Sequence, residues 1–343
     1  MRALVVGGTG PTGSAIVERL LAAGQDVTVY HTGTHELDFG CPVAHIHGDP
    51  TDAERLAADF AGRSFDTAFA MYGRLRAVAE ALRGRVRRFV GITGGPVYAG
   101  FRGKGPGETG LPLPIPETAP VGSDPEADRY AYAVAQGERA VMAAHASGAF
   151  EAVLLRYPVV YGPRTGRPVE WYFVRRALDG RRRLLLAGDG LFTRQRGYTE
   201  NLAHAAILAA DHSRAAGETY NVGDTRVLNL RGLADLVARS LGHTWEMVGV
   251  PYEAVTFGQN LVLYEHAIFD LSKIRSELGY DDVVPVEEAT RRTVEWLAEH
   301  RPLPGGDEEQ RLGDVFNYAE EDRLIDLHGP RGSGAAAVPV AAS

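Results

Sequence analysis

The sequence predicts a doubly wound α/β fold, in which a parallel sheet carries helices on both faces. Short apolar runs alternate with amphipathic segments along the first half of the 343-residue chain. The first run, Ala3–Val6, is followed by closely spaced glycines and then by apolar residues at helical spacing as far as Gly24. The same rhythm returns after the strand candidates Val27–Tyr30 and Ala44–His47. Because parallel strands need helical crossovers, this alternation is typical of a sheet buried on both faces.

Each later element follows from its own local pattern. Apolar runs with few charges predict further strands at 67–71, 88–93 and 152–156. Apolar residues that recur every three or four positions predict helices at 53–60, 75–82, 129–147, 201–211, 230–241 and 285–300. Residues 95–128 interrupt this order with many Gly and Pro residues. A loop of that length in a compact domain is often functional, for example as a lid over a site.

Composition narrows the classes of function. A net charge of −8 disfavours a nucleic-acid binder that relies on a basic surface. Cys41 is the only cysteine, so an intrachain disulfide is excluded and a reducing cytoplasm is favoured. No apolar run reaches the ~18–20 residues of a membrane span, and the strand-like N-terminus lacks the pattern of a signal peptide. We therefore expect a cytoplasmic protein that acts on a small molecule, without nucleic-acid or membrane partners.

A glycine-rich turn joins the first predicted strand to the first predicted helix, with Gly7, Gly10 and Gly13 at regular spacing. Glycines allow a tight turn and a close approach of the backbone, and a helix N-terminus supplies N–H donors and a favourable dipole. A dinucleotide pyrophosphate requires both features. The strand before the turn and the helix after it favour a cofactor site over a plain turn. The cofactor contacts expected here are Gly7, Thr9, Gly10, Pro11, Thr12 and Gly13.

This glycine spacing resembles the fingerprint of the short-chain dehydrogenases/reductases. Over roughly residues 1–300 the chain is similar to the extended branch of that family, which contains the sugar-nucleotide epimerases and dehydratases. Further matching stretches are Phe65–Thr67, Val97–Tyr98, Leu155–Tyr157, Tyr161–Pro163, Tyr220–Gly223 and Ser272–Tyr280. The resemblance implies a Rossmann-type sheet with a smaller C-terminal substrate lobe, an NAD(P)-dependent enzyme and a homodimer.

The resemblance also suggests a division of the chain. Residues 1–165 are expected to form the dinucleotide-binding domain, to which a segment near 197–225 returns. Residues 166–300 are expected to form mainly the substrate lobe. Residues 301–343 are interpreted as a tail that is partly disordered, because residues 332–343 consist almost entirely of Ala, Gly, Pro and Val.

The end of the second strand favours NADP(H) over NAD(H). An NAD-preferring site places an acid there to bind the ribose 2′-hydroxyl, whereas this strand ends in His31–Thr34. Thr32 and Thr34 can donate hydrogen bonds to phosphate oxygens, and His31 can add charge when protonated. Asp49 resembles the adenine-contacting acid of the family, although it could instead cap the next helix. The other cofactor positions implied by the resemblance are Pro50, Met71, Tyr72, Gly73, Tyr157 and Pro158.

Family members reduce their substrates with a Tyr, a Lys four residues later, and a Ser or Thr at the end of the fifth strand. Here the resemblance places Tyr132 at the tyrosine position, Gln136 at the lysine position and Thr93 near the hydroxyl position. Gln136 can bind a ribose hydroxyl, but it has no charge with which to lower the pKa of ~10 of a free tyrosine. The chain has only two lysines, and Lys104 in the Gly-rich loop could substitute as the cation.

The substrate side departs from the family as well. Gly94 takes the usual hydroxyl position, and the Asp–Glu pair of the dehydratases is absent, which disfavours sugar 4,6-dehydration. Arg194 matches an arginine that contacts diphosphate, and an arginine fork suits an anion, although surface salt bridging is the alternative. The residues expected near the substrate are Gly94, Gly95, Tyr98, Val159, Arg164 and Arg194.

Several histidines follow one another along the second and third strands. His45 and His47 alternate on one strand candidate, with His31 and Cys41 upstream. Strand alternation would let two of them share a metal. Because no acid or third ligand stands at a recognisable spacing, the sequence predicts no metal site.

Three functions stay open at this point. The first is a reductase or epimerase-like enzyme that acts on a carbonyl or hydroxyl of a small molecule, which the arginines suggest is anionic. The second is a non-redox isomerase or lyase on the same scaffold, running an elimination or a retro-aldol step. The third is a catalytically inactive protein that senses NADP(H), and the retention of Tyr132 argues against it.

Overall fold

The structure is a computed structural model that describes residues 1–101, 110–255, 266–313 and 316–329. In these ranges the strands are β1 (Arg2–Val6), β2 (Asp26–His31), β3 (Ala44–His47), β4 (Phe65–Ala70), β5 (Val86–Gly94), β6 (Glu151–Tyr157), β7 (Val159–Tyr161), β8 (Arg183–Ala187), β9 (Arg196–Tyr198), β10 (Glu218–Asn221) and β11 (Glu246–Val250). The α-helices are α1 (Pro11–Ala22), α2 (Ala53–Asp59), α3 (Leu75–Ala81), α4 (Arg129–Ala146), α5 (Trp171–Leu178), α6 (Thr199–Asp211), α7 (Leu230–Ser240), α8 (Ser272–Leu278), α9 (Val286–Glu299), α10 (Asp307–Leu312) and α11 (Tyr318–His328).

Seven strands form one parallel sheet in the order β10-β6-β5-β4-β1-β2-β3. The register pairs Val5 of β1 with Val29 of β2 on one side and with Phe69 of β4 on the other. The strand order runs outwards in both directions from the boundary between β1 and β4. Ligands bind outside the carboxyl ends of the strands at such a switch point. The predicted doubly wound α/β fold is confirmed.

The sheet has an apolar core on each face, because successive residues of a strand point to opposite sides. On one face, Val5 shares a core with Ile16 of α1 and Leu202 of α6. On the other face, Leu4 shares a core with side chains of α2, α3 and α4, including Val141. These two cores attach α1 and α6 to one face of the sheet, and α2, α3 and α4 to the other.

The described residues fall into two compact units. The first comprises Met1–Gly166, Thr193–Val227 and Glu265–Thr293, and the second comprises Arg167–Phe192, Leu228–Tyr264 and Val294–Ser343. The first unit therefore includes a third segment, which the sequence-based division assigned to the substrate lobe. Its helix α8 explains the difference, because Ile274 and Leu278 pack in the same core as Leu155 of β6 and Tyr220 of β10.

The second unit contains the two-stranded parallel sheet of β8 and β11. The tail expected after residue 301 is instead helical over α10 and α11. The side chains of Arg176 and Glu321 are both fully buried and lie 2.9 Å apart. Leu324 and Ile325 of α11 pack against Val248 of β11. Residues 332–343, predicted to be disordered, lie outside the described residues.

Candidate functional site

The turn between β1 and α1 leaves no space for side chains at Gly7 and Gly13. A Cβ atom on Gly13 would lie 2.1 Å from the carbonyl oxygen of Gly7, and Gly7 itself has a φ of +86°. Gly10 is the N-cap of α1 and makes no side-chain cap, and Pro11 follows it. The first N–H groups of α1 therefore lack intrahelical acceptors. Together with the helix dipole they suit a phosphate group.

A cavity of about 420 Å³ lies against this turn and the carboxyl ends of β4, β5 and β6. It brings together most of the residues predicted for the cofactor and the reacting centre: Gly7, Gly10, Pro11, Thr12, Gly13, Met71, Tyr72, Thr93, Gly94, Tyr157 and Pro158. Four lining residues were not predicted: Ile92, Pro96, Tyr130 and Val160. Thr9 and Gly73 adjoin lining residues without lining the cavity themselves.

Of the two neighbouring tyrosines of α4, the one that lines this cavity is Tyr130. The Tyr72 hydroxyl donates a 2.6 Å hydrogen bond to the Tyr130 hydroxyl, and their ring centroids are 6.4 Å apart. Asp128 fixes the start of α4 because its side chain accepts hydrogen bonds from the first N–H groups of the helix. Tyr132 and Gln136 are both half-buried, and neither is among the residues that line the cavity.

A buried polar network lies behind Thr93. Its hydroxyl donates a 2.7 Å hydrogen bond to Glu138 Oε1. Arg156 donates to both oxygens of Glu138, from Nε at 3.0 Å and from Nη2 at 2.7 Å. A hydroxyl has one proton to donate and two lone pairs that can accept. Thr93 therefore gives its proton to Glu138, while its oxygen can still accept a hydrogen bond from a molecule in the cavity.

Two residues predicted near the substrate lie behind the cavity wall. Tyr98 is fully buried, and its hydroxyl donates a 2.7 Å hydrogen bond to Asn221 Oδ1. Burial raises the pKa of Tyr98. A Cβ atom on Gly95 would lie 2.5 Å from the Phe101 ring and 2.7 Å from the Phe269 ring. Both residues shape the wall by packing.

The residues predicted to bind the adenosine ribose lie at the end of β2, away from the cavity walls. His31 is only 4% exposed, and its Nε2 lies 2.9 Å from His45 Nδ1. Burial lowers the pKa of His31. Thr32 and Thr34 are exposed, and their hydroxyl groups lie 2.9 Å apart. The two threonines are thus the accessible donors at this end of the sheet.

Asp49 does not cap the following helix, because the N-cap of α2 is Asp52. Asp49 Oδ1 instead accepts hydrogen bonds from the N–H and the hydroxyl of Thr51, at 2.8 and 2.7 Å. The hydrogen bond from the Thr51 hydroxyl is the main reason why the pKa of Asp49 is lowered. Pro50 between them is buried.

The remaining predicted substrate residues do not line the cavity. Val159 begins β7, and its neighbour Val160 is the lining residue. Arg164 Nη1 lies 3.4 Å from Glu18 Oε1, so the side chain of Arg164 lies beside α1. The guanidinium of Arg194 lies over the ring of Phe101, 5.1 Å from its centroid.

Of the two lysines, Lys104 lies outside the described residues, so its predicted role as a substitute cation stays a prediction. Lys273 in α8 donates to Glu218 Oε2 at 2.7 Å and to the carbonyl oxygen of Thr219 at 3.0 Å. These contacts tie α8 to β10.

A comparison of the sequence with known protein families identifies the family of this chain. Residues 3–79 and 71–223 match the NAD dependent epimerase/dehydratase family. The chain belongs to this family. Its relatives are enzymes. Among the described residues, no helix is both long enough and apolar enough to cross a membrane.

Several members of the epimerase/dehydratase family are similar over most of their length. A dTDP-glucose 4,6-dehydratase of Streptomyces niveus is 28% identical over 349 residues, which cover 90% of this chain and 97% of that protein. The UDP-glucose 4-epimerase of Thermotoga maritima, solved with UDP-glucose, has a TM-score of 0.70 at 22% identity, covering 88% of this chain and 100% of that one. A dTDP-glucose 4,6-dehydratase of Streptomyces venezuelae, solved with NAD, has a TM-score of 0.67 at 25% identity, covering 88% and 98%.

In this member of the epimerase/dehydratase family, the two candidate tyrosines, Tyr130 and Tyr132, lie on different sides of α4. Residues four apart lie on one side of a helix, so Tyr130, Val134 and Glu138 form one stripe along α4. Glu138 faces the buried network behind Thr93, and Tyr130 extends the same stripe to the cavity. Tyr132 lies off this stripe. The sequence signal that could have identified Tyr130 is the capping Asp128, which fixes where the helix begins.

Proposed function

We propose that this chain is an NAD(P)-dependent enzyme that oxidises or reduces a carbonyl or hydroxyl group of a sugar nucleotide, with Tyr130 as its acid–base residue. The observation that carries the proposal is the cavity, which joins the glycine turn to the hydrogen-bonded pair Tyr72 and Tyr130. The crowding between Gly7 and Gly13 fits a turn that lets a pyrophosphate approach the backbone. A bound nicotinamide supplies hydride transfer to such a site.

Tyr130 moves the proton that accompanies hydride transfer. In the reductive direction its hydroxyl gives a proton to the substrate oxygen as that oxygen becomes a hydroxyl group. The hydrogen bond that Tyr72 donates to the Tyr130 oxygen stabilises the phenolate that this step leaves. Val134 stands four residues after Tyr130, where family members carry a lysine. Tyr72 therefore supplies from β4 a part of the stabilisation that the helix does not.

Thr93 orients the substrate rather than transferring a proton. Its oxygen accepts a hydrogen bond from a substrate hydroxyl, because its own proton is donated to Glu138. The pair of Glu138 and Arg156 is buried and bidentate, so it holds the Thr93 side chain in one orientation.

NADP(H) is the favoured cofactor over NAD(H). The residues that end β2 are not acidic, and Thr32 and Thr34 are exposed hydroxyl donors for a 2′-phosphate. The carboxylate of Glu36, an acid in the segment after β2, lies 2.9 Å from His47 Nε2 and 3.5 Å from His45 Nδ1. The carboxylate of Glu36 therefore lies beside the two imidazoles of β3.

The substrate class follows from the relatives together with the chemistry of the cavity. One relative that this chain matches over 97% of its length acts on dTDP-glucose, as its name states. The acidic pair of the dehydratases is absent from the segment that begins at Gly94, so we propose an epimerase-like or reductase reaction in place of dehydration. Arg194 is the residue we assign to the diphosphate. A cytoplasmic homodimer remains the expected form.

A non-redox isomerisation or lyase reaction is the second candidate. The observation that favours it is Val134, which stands one turn after Tyr130 where family members carry a lysine. In that case a bound cofactor would stay in one redox state throughout turnover.

A panel of UDP- and dTDP-sugars tests the proposal. The purified enzyme is incubated with each sugar and with NADP⁺, NAD⁺ or the reduced cofactors, and products are identified by NMR. We expect conversion of at least one sugar, with hydride exchange at one sugar carbon seen with C4-deuterated reduced cofactor. Conversion without isotope transfer from the cofactor, but with uptake of solvent deuterium at a sugar carbon, would favour the non-redox candidate. Tight cofactor binding without conversion of any sugar would contradict the proposal.

A further inference from the structure

Three imidazoles and one carboxylate converge at the carboxyl ends of β2 and β3. His31 ends β2, His45 and His47 lie on β3, and Glu36 comes from the segment between these strands. The parallel register places His31 opposite His47. Because strand residues alternate, His45 and His47 project from one face of the sheet. Among the residues that the structure describes, these four form the single group of three or more potential metal ligands that lie this close together.

Four separations between ligand atoms, from 2.9 to 3.7 Å, bracket the ligand separation of a tetrahedral coordination shell. All four ligand atoms lie within 4.8 Å of one another. His31 Nε2 is 2.9 Å from His45 Nδ1, and His47 Nε2 is 2.9 Å from Glu36 Oε1. Glu36 Oε2 is 3.5 Å from His45 Nδ1 and 3.7 Å from His31 Nε2. Ligands bound to Zn²⁺ at ~2.0–2.1 Å lie about 3.3–3.4 Å apart at the corners of a tetrahedron.

The ring of His31 is the one of this group that is enclosed by its surroundings. The ring of His31 is buried, and it meets the rings of His45 and His47 edge-on at centroid distances of 5.1 and 4.8 Å. Ligands that are oriented before binding lose little side-chain freedom when a cation arrives.

The donor set also selects the kind of cation. Three imidazole nitrogens and one carboxylate oxygen suit Zn²⁺ and other late first-row divalent metals. Mg²⁺ and Ca²⁺ prefer oxygen ligands and would leave three nitrogens without a suitable partner.

We propose that His31, Glu36, His45 and His47 form a binding site for a divalent transition metal, of which Zn²⁺ is the representative. His31 and His47 bind through Nε2, His45 through Nδ1, and Glu36 through its carboxylate. None of the four residues lines the cavity at the glycine turn, so the site does not depend on the proposed function. A bound metal joins β3, the edge strand of the sheet, to β2 and to the segment that carries Glu36.

Zn²⁺ titration of the tag-free full-length chain tests this proposal. The chain carries Cys41→Ser, which removes the exposed thiol as a competing ligand. Calorimetry gives stoichiometry and affinity, and Co²⁺ gives the visible absorption of tetrahedral coordination. We expect one metal per chain, an intense Co²⁺ spectrum, and a higher melting temperature with Zn²⁺. Because loss of an outer-shell partner alone weakens metal binding about 10–100-fold, the ligand variants His45→Ala and Glu36→Gln should lose at least as much affinity.

The matched control is His35→Ala, which removes an imidazole beside Glu36 but outside the group. This variant should bind Zn²⁺ like the parent chain. Glu36 is more than half exposed, so Glu36→Gln keeps the test decisive if His45→Ala fails to fold. Failure of the parent chain to bind one Zn²⁺ would overturn the proposal. Equal affinities of the parent chain and Glu36→Gln, or an equal loss in His35→Ala, would overturn it as well.

Discussion

The hydroxyl of Tyr72 donates a hydrogen bond of 2.6 Å to the hydroxyl of Tyr130. This hydrogen bond connects the segment that follows β4 to the first turn of α4, and both tyrosines line the cavity that adjoins the glycine turn. Two elements distant in sequence thus place their tyrosines at one point, where the proposed chemistry needs a proton donor.

Replacing Tyr72 by Phe should slow turnover without abolishing it. The change removes the hydrogen bond to the Tyr130 oxygen and keeps the ring that lines the cavity. A hydrogen bond contributes about 1–1.5 kcal/mol, so kcat should fall about tenfold. KM should change little, because the bond acts on the residue that carries the proton and not on substrate affinity. Steady-state kinetics on the converted sugar measures this, and an unchanged kcat would remove Tyr72 from the account.

Gly13→Ala should impair cofactor binding. Its Cβ atom would lie 2.1 Å from the Gly7 carbonyl oxygen, so the turn has to open before a pyrophosphate can sit on it. We expect the dissociation constant of NADPH, followed by nucleotide fluorescence, to rise at least about tenfold, which corresponds to about 1.4 kcal/mol. The control is Gly137→Ala in α4, where the nearest atom to the new Cβ is a Leu75 carbon at 3.8 Å. An equal effect of both changes would show that the turn is not the cofactor site.

Thr34→Asp should shift the cofactor preference towards NADH. Thr34 is exposed and follows β2, where a carboxylate repels a 2′-phosphate and accepts hydrogen bonds from a 2′-hydroxyl. The ratio of the NADPH and NADH dissociation constants should change at least about tenfold in favour of NADH. Thr34→Asn has a similar size without charge and should leave the ratio near that of the parent. If both variants keep the parental ratio, the ribose binds elsewhere.

His204 should make folding sensitive to acid. Burial, with a smaller effect from Arg19, lowers the pKa of His204 below its ordinary value of 6.5. The folded state therefore favours the neutral ring. This contribution to stability is fully present above pH 6.5 and is lost as the pH falls through the lowered pKa. Between about pH 7 and pH 5, the melting temperature of His204→Gln should fall less than that of the parent. Parallel melting curves for the two proteins would contradict this.

The strands β1 to β6 and most helices could be predicted from sequence because periodicity and glycine placement are local signals, whereas the strands β7 to β11 were not predicted. The strand Ala44–His47 has the predicted bounds, and the Gly7–Gly13 turn lies where the strand-to-helix pattern placed it. The helices α10 and α11 escaped prediction because their sequences are rich in charges. The helix α11 is stabilised by residues distant in sequence. It packs against β11, and its Glu321 pairs with Arg176.

The centre of the site was harder to predict because two tyrosines lie two residues apart. Tyr132 and Tyr130 are equivalent by residue type, and only the phase of α4, set by Asp128, shows which one reaches the cavity. The histidine group was also hard to predict from sequence. Its carboxylate, Glu36, comes from an irregular segment, where no periodic pattern indicates that it returns to β3.

The comparison of Tyr130→Phe with Tyr132→Phe tests the central claim most directly. Both variants lose one hydroxyl from α4, so the measurement is the kcat of each on the same converted sugar with saturating cofactor. We predict that Tyr130→Phe lowers kcat about 10²–10⁴-fold, the range for loss of a general acid–base group, while Tyr132→Phe stays within about twofold of the parent. The reverse order, with Tyr132→Phe as the inactive variant, would contradict the account.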